Sequence, residues 1–339
     1  GYEVLLVGRM LPGSPALERP YRFKRMRLIF SKGAMFYAEY NLRLFILLMF
    51  SKCDLILAND LDSLLAAHLG RRGRKLVYDS HEYFTEVPEL VGRPARKVWL
   101  AIERWIFPKL EHVITVNDSI ADAYRDRYGK RPAVVRNIPM PRDLGPKPSR
   151  ADLDLPTDRT ILIMQGSGIN VQRGAEETVL AMKELPGCLL LLVGGGDAWP
   201  VLQRMVKEHE LGDRVRMIPR MPYEAMMQYT RNADLGLSLD KDTNLNYRYS
   251  LPNKLFDYFR AGIPVLVTDL PEVAGIVRRF DAGVVLPAPE PGKIVAAVRT
   301  LVGDPERARA LQRNATFAAA SLDGTQEKEA LKAFLRDLG

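Results

Sequence analysis

Short apolar runs alternate with helical stretches along nearly the whole 339-residue chain. This alternation is typical of α/β folds with parallel sheets, because each parallel strand must be joined to the next by a crossover, usually a helix. In the first part of the chain, strands are predicted over residues 3–7, 54–58, 75–79, 112–116 and 133–136. In the second part, they are predicted over residues 160–165, 188–193, 214–218, 234–238, 264–268 and 283–286.

A proline-rich segment separates the two series of strands. Residues 137–158 contain five prolines, at positions 139, 141, 146, 148 and 156, and prolines at that density end regular structure. The length of the chain is comfortable for two doubly wound domains. We therefore predict an N-terminal Rossmann-like domain over 1–140, a linker over 141–158, a C-terminal Rossmann-like domain over 159–304 and two closing helices over 305–339. We expect the domains to face each other across a cleft, with functional residues directly after strands.

The positive charge of the chain is concentrated in its first part. Residues 1–140 hold 23 Lys and Arg against 15 Asp and Glu, whereas the remainder holds 26 of each. This asymmetry fits an anionic partner, such as a membrane surface, a lipid phosphate or nucleic acid, and it fits an ordinary basic domain equally well. Residues 20–36 interleave basic with apolar side chains, which suits either an anionic membrane interface or packing inside the domain. Because no other segment has this pattern, we expect no nucleic-acid partner.

Cysteine use and apolar content indicate the compartment. Cys53 and Cys188 lie beside apolar runs and predict free thiols in a reducing environment. The longest apolar run, residues 44–50, is too short to span a bilayer. We expect a cytoplasmic protein, with peripheral attachment to the inner face of the membrane as a further expectation from its basic first part. No Cys/His cluster has the spacing of a metal site, so no structural zinc is expected.

Residues 250–268 form the segment that says most about function. The sequence Ser-Leu-Pro-Asn-Lys-Leu-Phe-Asp predicts a helix that ends at Gly262 and leads into a buried strand. Lys254 near the positive N-terminal end of a helix is electrostatically unfavourable, and a bound anion would remove the conflict. The alternative is an ordinary solvated lysine. Asp257 lies further along the same helix.

Two glycine-rich loops follow the first two predicted strands of the second part. The loop from Gly166 to Gly174 would let backbone N–H groups approach a phosphate, and Arg173 could make a forked contact with a diphosphate. The alternative is a flexible surface turn. The cluster from Gly194 to Asp197 is equally explained by ligand contact and by close packing. Neither loop has the spacing of a G-x-G-x-x-G fingerprint or of a P-loop.

Polar residues also follow two strands of the first part. His81 and Glu82 come directly after the strand predicted at 75–79, and Asn59 and Asp60 follow the strand predicted at 54–58. A lone histidine is often structural, but its place at the C-terminal end of a strand favours ligand contact. Asp60 is equally well explained as the N-cap of the next helix.

Taken together, these motifs resemble those of glycosyltransferases with the GT-B fold, most closely family 4, over nearly the whole chain. The resemblance implies a retaining, metal-independent transfer of a sugar from a nucleoside diphosphate sugar to a glycan or lipid-linked acceptor hydroxyl, in glycan, polysaccharide or glycolipid biosynthesis. It implies that His81 is catalytic and that Asn59, Asp60 and Glu82 lie on the acceptor side. It implies that the donor is bound by Gly166, Gly168, Arg173, Gly174, Gly195, Ile218, Arg220, Ser250, Asn253, Lys254 and Asp257.

The chain departs from the family pattern at two places. Asp257 stands where the family has the second glutamate of its E-x7-E pair, which accepts hydrogen bonds from the ribose, but Tyr249 stands at the first. Ser250, Asn253 and Lys254 are then the candidates for contact with the donor sugar. Gly166 and Ser167 stand where the family often has a second basic residue. A non-catalytic sugar-nucleotide-binding protein of the same fold is therefore the alternative function.

The resemblance also bears on the two ends of the chain. Family members begin with a strand, a loop and a helix before the segment that corresponds to residues 1–7. We therefore expect the first βα unit to be missing from this chain, and we expect the chain as it stands to bind nucleotide but to transfer sugar poorly. The last helix, within 325–338, is expected to cross back onto the N-terminal domain.

Overall fold

The computed structural model describes every residue except Pro12, Gly13, Pro15, Leu17 and Gly339. The chain divides into two compact units, which we call the first unit and the second unit. The first unit consists of Gly1–Thr85 and Glu89–Ile114, and the second of Glu86–Pro88 and Thr115–Gly339. The domain limits expected from the sequence stay predictions.

The first unit contains strands connected by helices. Its elements are β1 (Leu5–Arg9), β2 (Arg22–Met26), α1 (Gly33–Phe50), β3 (Leu55–Asn59), α2 (Leu61–Gly70), β4 (Lys75–Ser80), α3 (Pro94–Ile106) and β5 (His112–Thr115). Strands β1 and β2 form a parallel pair of their own, whereas β3, β4 and β5 lie side by side in another sheet. Helix α1 packs on α2, and buried Leu48 and Leu64 lie in these two helices.

Strand β2 was not predicted, and its surroundings explain why. Its sequence, Arg-Phe-Lys-Arg-Met, is mostly charged, and a two-stranded ribbon leaves such side chains in water. Phe23 is 38% exposed and Ile29, in the following loop, is 79% exposed, whereas Met26 and Phe36 are buried. The apolar side of segment 20–36 is therefore packed inside the unit at Met26 and Phe36 and exposed at Phe23 and Ile29.

The second unit is larger, and Thr115, the last residue of β5, belongs to it. Its elements are α4 (Asp118–Tyr128), β6 (Ala133–Val134), β7 (Thr160–Gly166), α5 (Ala175–Ala181), β8 (Cys188–Gly194), α6 (Trp199–Glu208), β9 (Val215–Pro219), α7 (Tyr223–Thr230), β10 (Leu235–Ser238), α8 (Leu245–Arg248), α9 (Asn253–Arg260), β11 (Val265–Thr268), α10 (Pro271–Phe280), β12 (Gly283–Leu286), α11 (Pro291–Gly303), α12 (Pro305–Ser321) and α13 (Thr325–Asp337). Among the helices of the described chain, none combines the length and the apolar character that crossing a membrane requires.

The central sheet of the second unit has the doubly wound arrangement. Its six strands are in the order β12-β11-β10-β7-β8-β9, and every recorded pair is parallel. Alternate residues of β7 belong to two separate cores, with Leu162 and Met164 on one side and Ile161 and Ile163 on the other. A parallel sheet covered on both faces requires such continuous apolar strands. The predicted parallel α/β fold is confirmed, and each predicted strand agrees with an observed one to within two residues at either end.

The direction of strand order reverses between β7 and β10, which are neighbours in the sheet but not in sequence. At such a switch point the loops after the two strands diverge to opposite faces and open a crevice at the C-terminal ends of the strands. The fold therefore directs attention to the loops that follow Gly166 and Ser238.

The proline-rich segment is anchored to this sheet. Arg150 donates to both carboxylate oxygens of Asp234 at 2.8 Å and to the carbonyl of Asn232 at 3.1 Å. Asp234 in turn accepts the N–H of Ile161 at 2.7 Å, at the start of β7. At the other end of the unit, Glu327 of α13 accepts the N–H of Arg136 at 2.8 Å.

Helix α9 is fixed to the sheet by Tyr258. This side chain is fully buried, donates its hydroxyl proton toward the carbonyl of Leu237 at 3.1 Å and accepts the N–H of Gln165 at 3.2 Å. Gly236 of β10 faces the ring so closely that a Cβ there would clash with it. The glycine therefore sets the distance between the helix and the sheet.

We expect Gly236→Ala to destabilise the protein by roughly 1–3 kcal/mol, the usual cost of forcing a methyl group into a packed core. Denaturant unfolding measures the change. Gly212→Ala is the matched control, because a Cβ at Gly212 would meet no atom within 4 Å. Equal unfolding midpoints for the two variants would contradict this account of the helix–sheet contact.

Candidate active site

Three charged side chains meet at the switch point of the second unit. Arg173 lies in the loop after β7, Asp240 follows β10, and Lys254 is in the first turn of α9. The Arg173 Nη1 is 3.3 Å from Asp240 Oδ2, and Lys254 Nζ is 3.9 Å from Asp240 Oδ1. Two cations therefore share one carboxylate whose side chain is only 2% exposed, which leaves a surplus of one positive charge.

These groups are incompletely satisfied by the protein. The Nε of Arg173 and the Oδ1 of Asp240 are buried, and neither makes a hydrogen bond within the described residues. The side chain of Lys254 is 11% exposed, so the alternative of a solvated lysine is wrong. Burial lowers the pKa of Lys254, and the attraction of Asp240 opposes that shift. An anion would accept a hydrogen bond from the unpartnered Arg173 Nε and would be attracted by both cations, so the cluster is a candidate anion site.

The loop that carries Arg173 is held in place at several points. Gly174 has a φ of +77°, and a side chain there would clash with the carbonyl oxygen of Leu239, so this glycine lets the loops after β7 and β10 approach each other. The N–H of Lys241 donates to the carbonyl of Gln172 at 2.9 Å. The guanidinium of Arg173 lies 4.6 Å from the ring centroid of Tyr247. These contacts argue against a flexible surface turn.

The glycines at the ends of β7 and β8 are adjacent in the sheet. Gly166 and Gly194 are paired in register, and a side chain on Gly194 would clash with the carbonyl of Gly166. A Cβ on Gly196 would clash in the same way with the carbonyl of Ile169. Close packing therefore accounts for two glycines of this cluster. Gly168 has more room, with the side chain of Asn170 as its nearest neighbour at 3.6 Å.

Arg220 lies over the same two loops. Its Nη2 donates to the carbonyl of Ser167 at 2.5 Å, and a Cβ added to Gly195 would come within 3.0 Å of its Nε. The side chain is exposed. A basic group thus reaches the start of the β7 loop, where the sequence itself has Gly166 and Ser167. Ile218 lies beside Val193 in the sheet.

Asp257 belongs to a buried polar network. Its Oδ1 accepts the hydroxyl of Tyr223 at 2.7 Å, and its Oδ2 accepts the Nε2 of Gln165 at 3.2 Å. Gln165 also accepts the hydroxyl proton of Thr230. Burial raises the pKa of Asp257, and the bond from Tyr223 opposes this shift. Each carboxylate oxygen has two acceptor positions, and the described residues fill one on each. The role of Asp257 in binding the ribose stays a prediction.

The remaining donor-side residues surround the start of α9. The Ser250 Oγ is buried without a hydrogen bond to any described residue, whereas Asn253 is exposed at the first position of the helix. The carbonyl of Tyr249 accepts the Nδ2 of Asn117 at 2.7 Å. Tyr249 therefore has a backbone role at the position of the absent glutamate.

In the first unit, the residues after β3 and β4 form a second polar cluster. The N–H of His81 donates to Asp60 Oδ1 at 2.9 Å, and His81 Nε2 lies 2.9 Å from Asp79 Oδ2. The hydrogen bond to Asp79 raises the pKa of His81, although burial opposes it. Asn59 is exposed and Glu82 half-buried beside them. The structure therefore brings the four residues predicted in this unit to one end of its sheet.

Asp60 does not cap helix α2. It stands at the N-cap position, but its side chain makes no capping hydrogen bond, because the carboxylate is bonded to His81 instead. Its φ of +58° is unusual for a residue other than glycine, and such conformations concentrate at functional sites. The N-cap interpretation is wrong.

Sequence reasoning missed three of these side chains. Asp79 ends a predicted strand, Gln165 is the one polar residue in a buried apolar run, and Asp240 follows a strand at the switch point. The position of Asp240 after a strand at the switch point was the signal that could have identified it. Its neighbour Asp242 pairs with Arg248 at 3.4 Å, and the described residues contain no group of three side chains placed to hold a metal ion.

Two family models match the sequence. Residues 147–316, half of the chain, match "Glycosyl transferases group 1", and residues 1–145 match "Glycosyltransferase Family 4". A search of curated proteins by sequence found no match.

Solved structures share the fold at low sequence identity. Sucrose-phosphate synthase from Thermosynechococcus elongatus is 20% identical, with a TM-score of 0.82 over 100% of this chain and 89% of that one. Anabaena HepE, solved with UDP, is 18% identical with a TM-score of 0.70 over 93% and 86% of the two chains. WaaG, a glycosyltransferase involved in lipopolysaccharide biosynthesis, is 15% identical with a TM-score of 0.72 over 97% and 91%. The chain therefore belongs to the group 1 glycosyltransferase family and is an enzyme of that class with the GT-B fold.

Proposed function

We propose that this enzyme moves a sugar from a nucleoside diphosphate sugar to an acceptor hydroxyl, with retention of anomeric configuration and without a metal ion. The observation that carries the proposal is the pair of cations Arg173 and Lys254, which share the single buried carboxylate of Asp240 at the switch point. HepE is a structural neighbour solved with UDP and with UDP-glucose, which supports a donor of this class.

The cation pair would act on the leaving group. As the bond between the sugar and the diphosphate breaks, negative charge grows on the diphosphate oxygens, and preorganised donors aimed at that charge lower the barrier. Arg173 offers a forked guanidinium, and Lys254 offers a point charge. Together they would stabilise the leaving group in place of a divalent cation. Asp240 would hold both in position without cancelling their charge.

Asp257 would bind the donor ribose through the open acceptor positions of its carboxylate. The bonds from Tyr223 and Gln165 fix the orientation of that carboxylate before the nucleotide arrives. Preorganisation of this kind reduces the entropy lost on binding. Arg220, over the start of the β7 loop, would supply the second basic group.

His81 would contact the donor sugar near the reacting carbon. Its Nε2 is bonded to Asp79, which orients the ring and favours the protonated form. Asn59, Asp60 and Glu82 would lie toward the acceptor.

For the acceptor we propose a glycan or a lipid-linked sugar. The neighbour WaaG is involved in lipopolysaccharide biosynthesis, which supports this class. The exposed segment of β2 and the loop after it, with Phe23 and Ile29 among basic side chains, would contact an anionic membrane peripherally. The protein would then act in the cytoplasm at the inner face of the membrane, with no cofactor and no nucleic-acid partner.

Removal of either cation should weaken nucleotide binding. We expect Arg173→Gln and Lys254→Gln each to raise the Kd for UDP about ten- to a hundredfold, because a charged hydrogen bond contributes roughly 1.5–3 kcal/mol. Titration calorimetry in EDTA measures this without metal. Arg307→Gln, which removes a surface ion pair with Asp281 in the same unit, is the control. Unchanged affinity in both cluster variants would remove the site assignment.

His81→Ala should lower turnover while it leaves UDP affinity nearly intact, since the nucleotide-binding residues belong to the other unit. A loss on the order of 10²-fold in kcat would match a missing transition-state contact. His209→Ala, a histidine of the second unit away from these clusters, is the control. Normal turnover of His81→Ala would give the residue a purely structural role, and the absence of product from the parent chain would favour the non-catalytic alternative.

If the protein contacts an anionic membrane, it should sediment with anionic vesicles and not with neutral ones. We expect Lys24→Gln combined with Arg27→Gln to weaken binding to phosphatidylglycerol vesicles roughly tenfold or more, at about 1 kcal/mol for each basic residue near the surface. Arg307→Gln again serves as control. Equal sedimentation with neutral vesicles, or no effect of the double variant, would count against the membrane contact.

A further inference from the structure

The first unit contains a cavity of about 420 Å³ that the proposed donor chemistry does not use. It lies between the end of β1, the start of α1 and the start of α2, and its size is in the range of pockets that hold small molecules. The residues that decide its chemistry are Arg9, Lys32, Phe36, Tyr37, Tyr40 and Asp62. Asp62 is two residues from Asp60, at the end of the unit where the His81 cluster lies.

One wall of the cavity is aromatic. The rings of Phe36 and Tyr40 are stacked, with centroids 6.0 Å apart and planes within 12° of each other. Tyr37 packs edge-on against Trp99, with centroids 5.0 Å apart, which fixes its ring. Aromatic rings next to hydroxyl groups suit a ligand that has an apolar face and polar edges, as a sugar ring does.

The cavity is also lined by two cationic side chains, Arg9 and Lys32. Arg9 lies 4.8 Å from the centroid of the Phe36 ring and donates to the carbonyl of Ser31 at 3.4 Å. Neither Arg9 nor Lys32 forms an ion pair with an acidic side chain among the described residues. The first turn of α1, which begins after Lys32, contains no acidic residue. Two cations that form no ion pair with the described acidic side chains favour an anionic ligand.

A single carboxylate completes the cavity. Asp62 is half-buried, and burial, reinforced by Asp60 and opposed by Arg9, raises its pKa to about 6. As a carboxylate it can accept hydrogen bonds from hydroxyl groups. Because it is one acid against two bases, it leaves the cavity positive. The cavity therefore combines an aromatic wall, an acceptor for hydroxyl groups and a surplus of positive charge.

We propose that this cavity binds a sugar that carries an anionic group, a phosphate or a carboxylate, and that this sugar is part of the acceptor. Arg9 and Lys32 bind the anion, the ring lies against Phe36 and Tyr40, and Asp62 accepts a hydroxyl. The assignment to the acceptor rests on the proposed function, whereas the binding of an anionic sugar does not depend on donor turnover.

Binding to the full chain tests the proposal with four probes: glucose 6-phosphate, glucuronic acid, glucose and inorganic phosphate. We expect at least one of the two anionic sugars to bind at least tenfold more tightly than glucose, and the better one identifies the anion. Arg9→Gln and Lys32→Gln should each weaken that binding about ten- to a hundredfold. Lys52→Gln, which removes the same charge from an exposed position outside the cavity, should leave it unchanged.

The aromatic wall has its own test. Tyr40→Leu should weaken the anionic sugar severalfold and leave inorganic phosphate unaffected, and circular dichroism confirms that the variant is folded. The proposal is overturned if neither anionic sugar binds better than glucose, if both Arg9→Gln and Lys32→Gln bind normally, or if Tyr40→Leu affects neither probe. UDP binding is measured in the same samples: failure of the anionic sugars with intact UDP binding refutes this proposal alone, whereas loss of UDP binding in the parent chain refutes the proposed function.

Discussion

A buried carboxylate shared by two cations is the interaction on which the chemistry proposed for the second unit depends. Asp240 lies between Arg173 and Lys254 with almost no access to water. Burying three charges is costly unless they are well paired, and here the pairing is incomplete by one positive charge. A bound diphosphate would supply the missing negative charge. Its binding would therefore also relieve this unfavourable electrostatic arrangement.

The fold produces this arrangement by bringing together three parts of the chain that are far apart in sequence. Reversal of strand order places β7 beside β10, so the loops that carry Arg173 and Asp240 start next to each other. Gly174 removes the steric barrier between them. Helix α9 supplies Lys254, and Tyr258 ties the helix to the sheet. Asp257 lies three residues after Lys254 on the same short helix. Movement of this helix would therefore disturb both parts of the proposed donor site.

The alternation of apolar runs was sufficient to predict the parallel α/β fold, because each buried parallel strand needs apolar residues on both faces. Strand β2 was missed because an exposed ribbon does not need them: four of the five residues from Arg22 to Met26 are not buried. From the sequence alone, Lys254 could equally be a solvated lysine. Nothing in its sequence neighbourhood reveals that it pairs with Asp240, fourteen residues earlier. Asp240 and Asp79 acquire partners only through sheet order and loop geometry, which a single sequence does not specify.

The most direct test of the cation cluster is a crystal structure of the protein with UDP, grown in EDTA. The account predicts diphosphate oxygens within hydrogen-bond distance of the Arg173 guanidinium and the Lys254 ammonium group, and a ribose hydroxyl on Asp257. A diphosphate bound elsewhere, with Arg173 and Lys254 still paired only to Asp240, would contradict it.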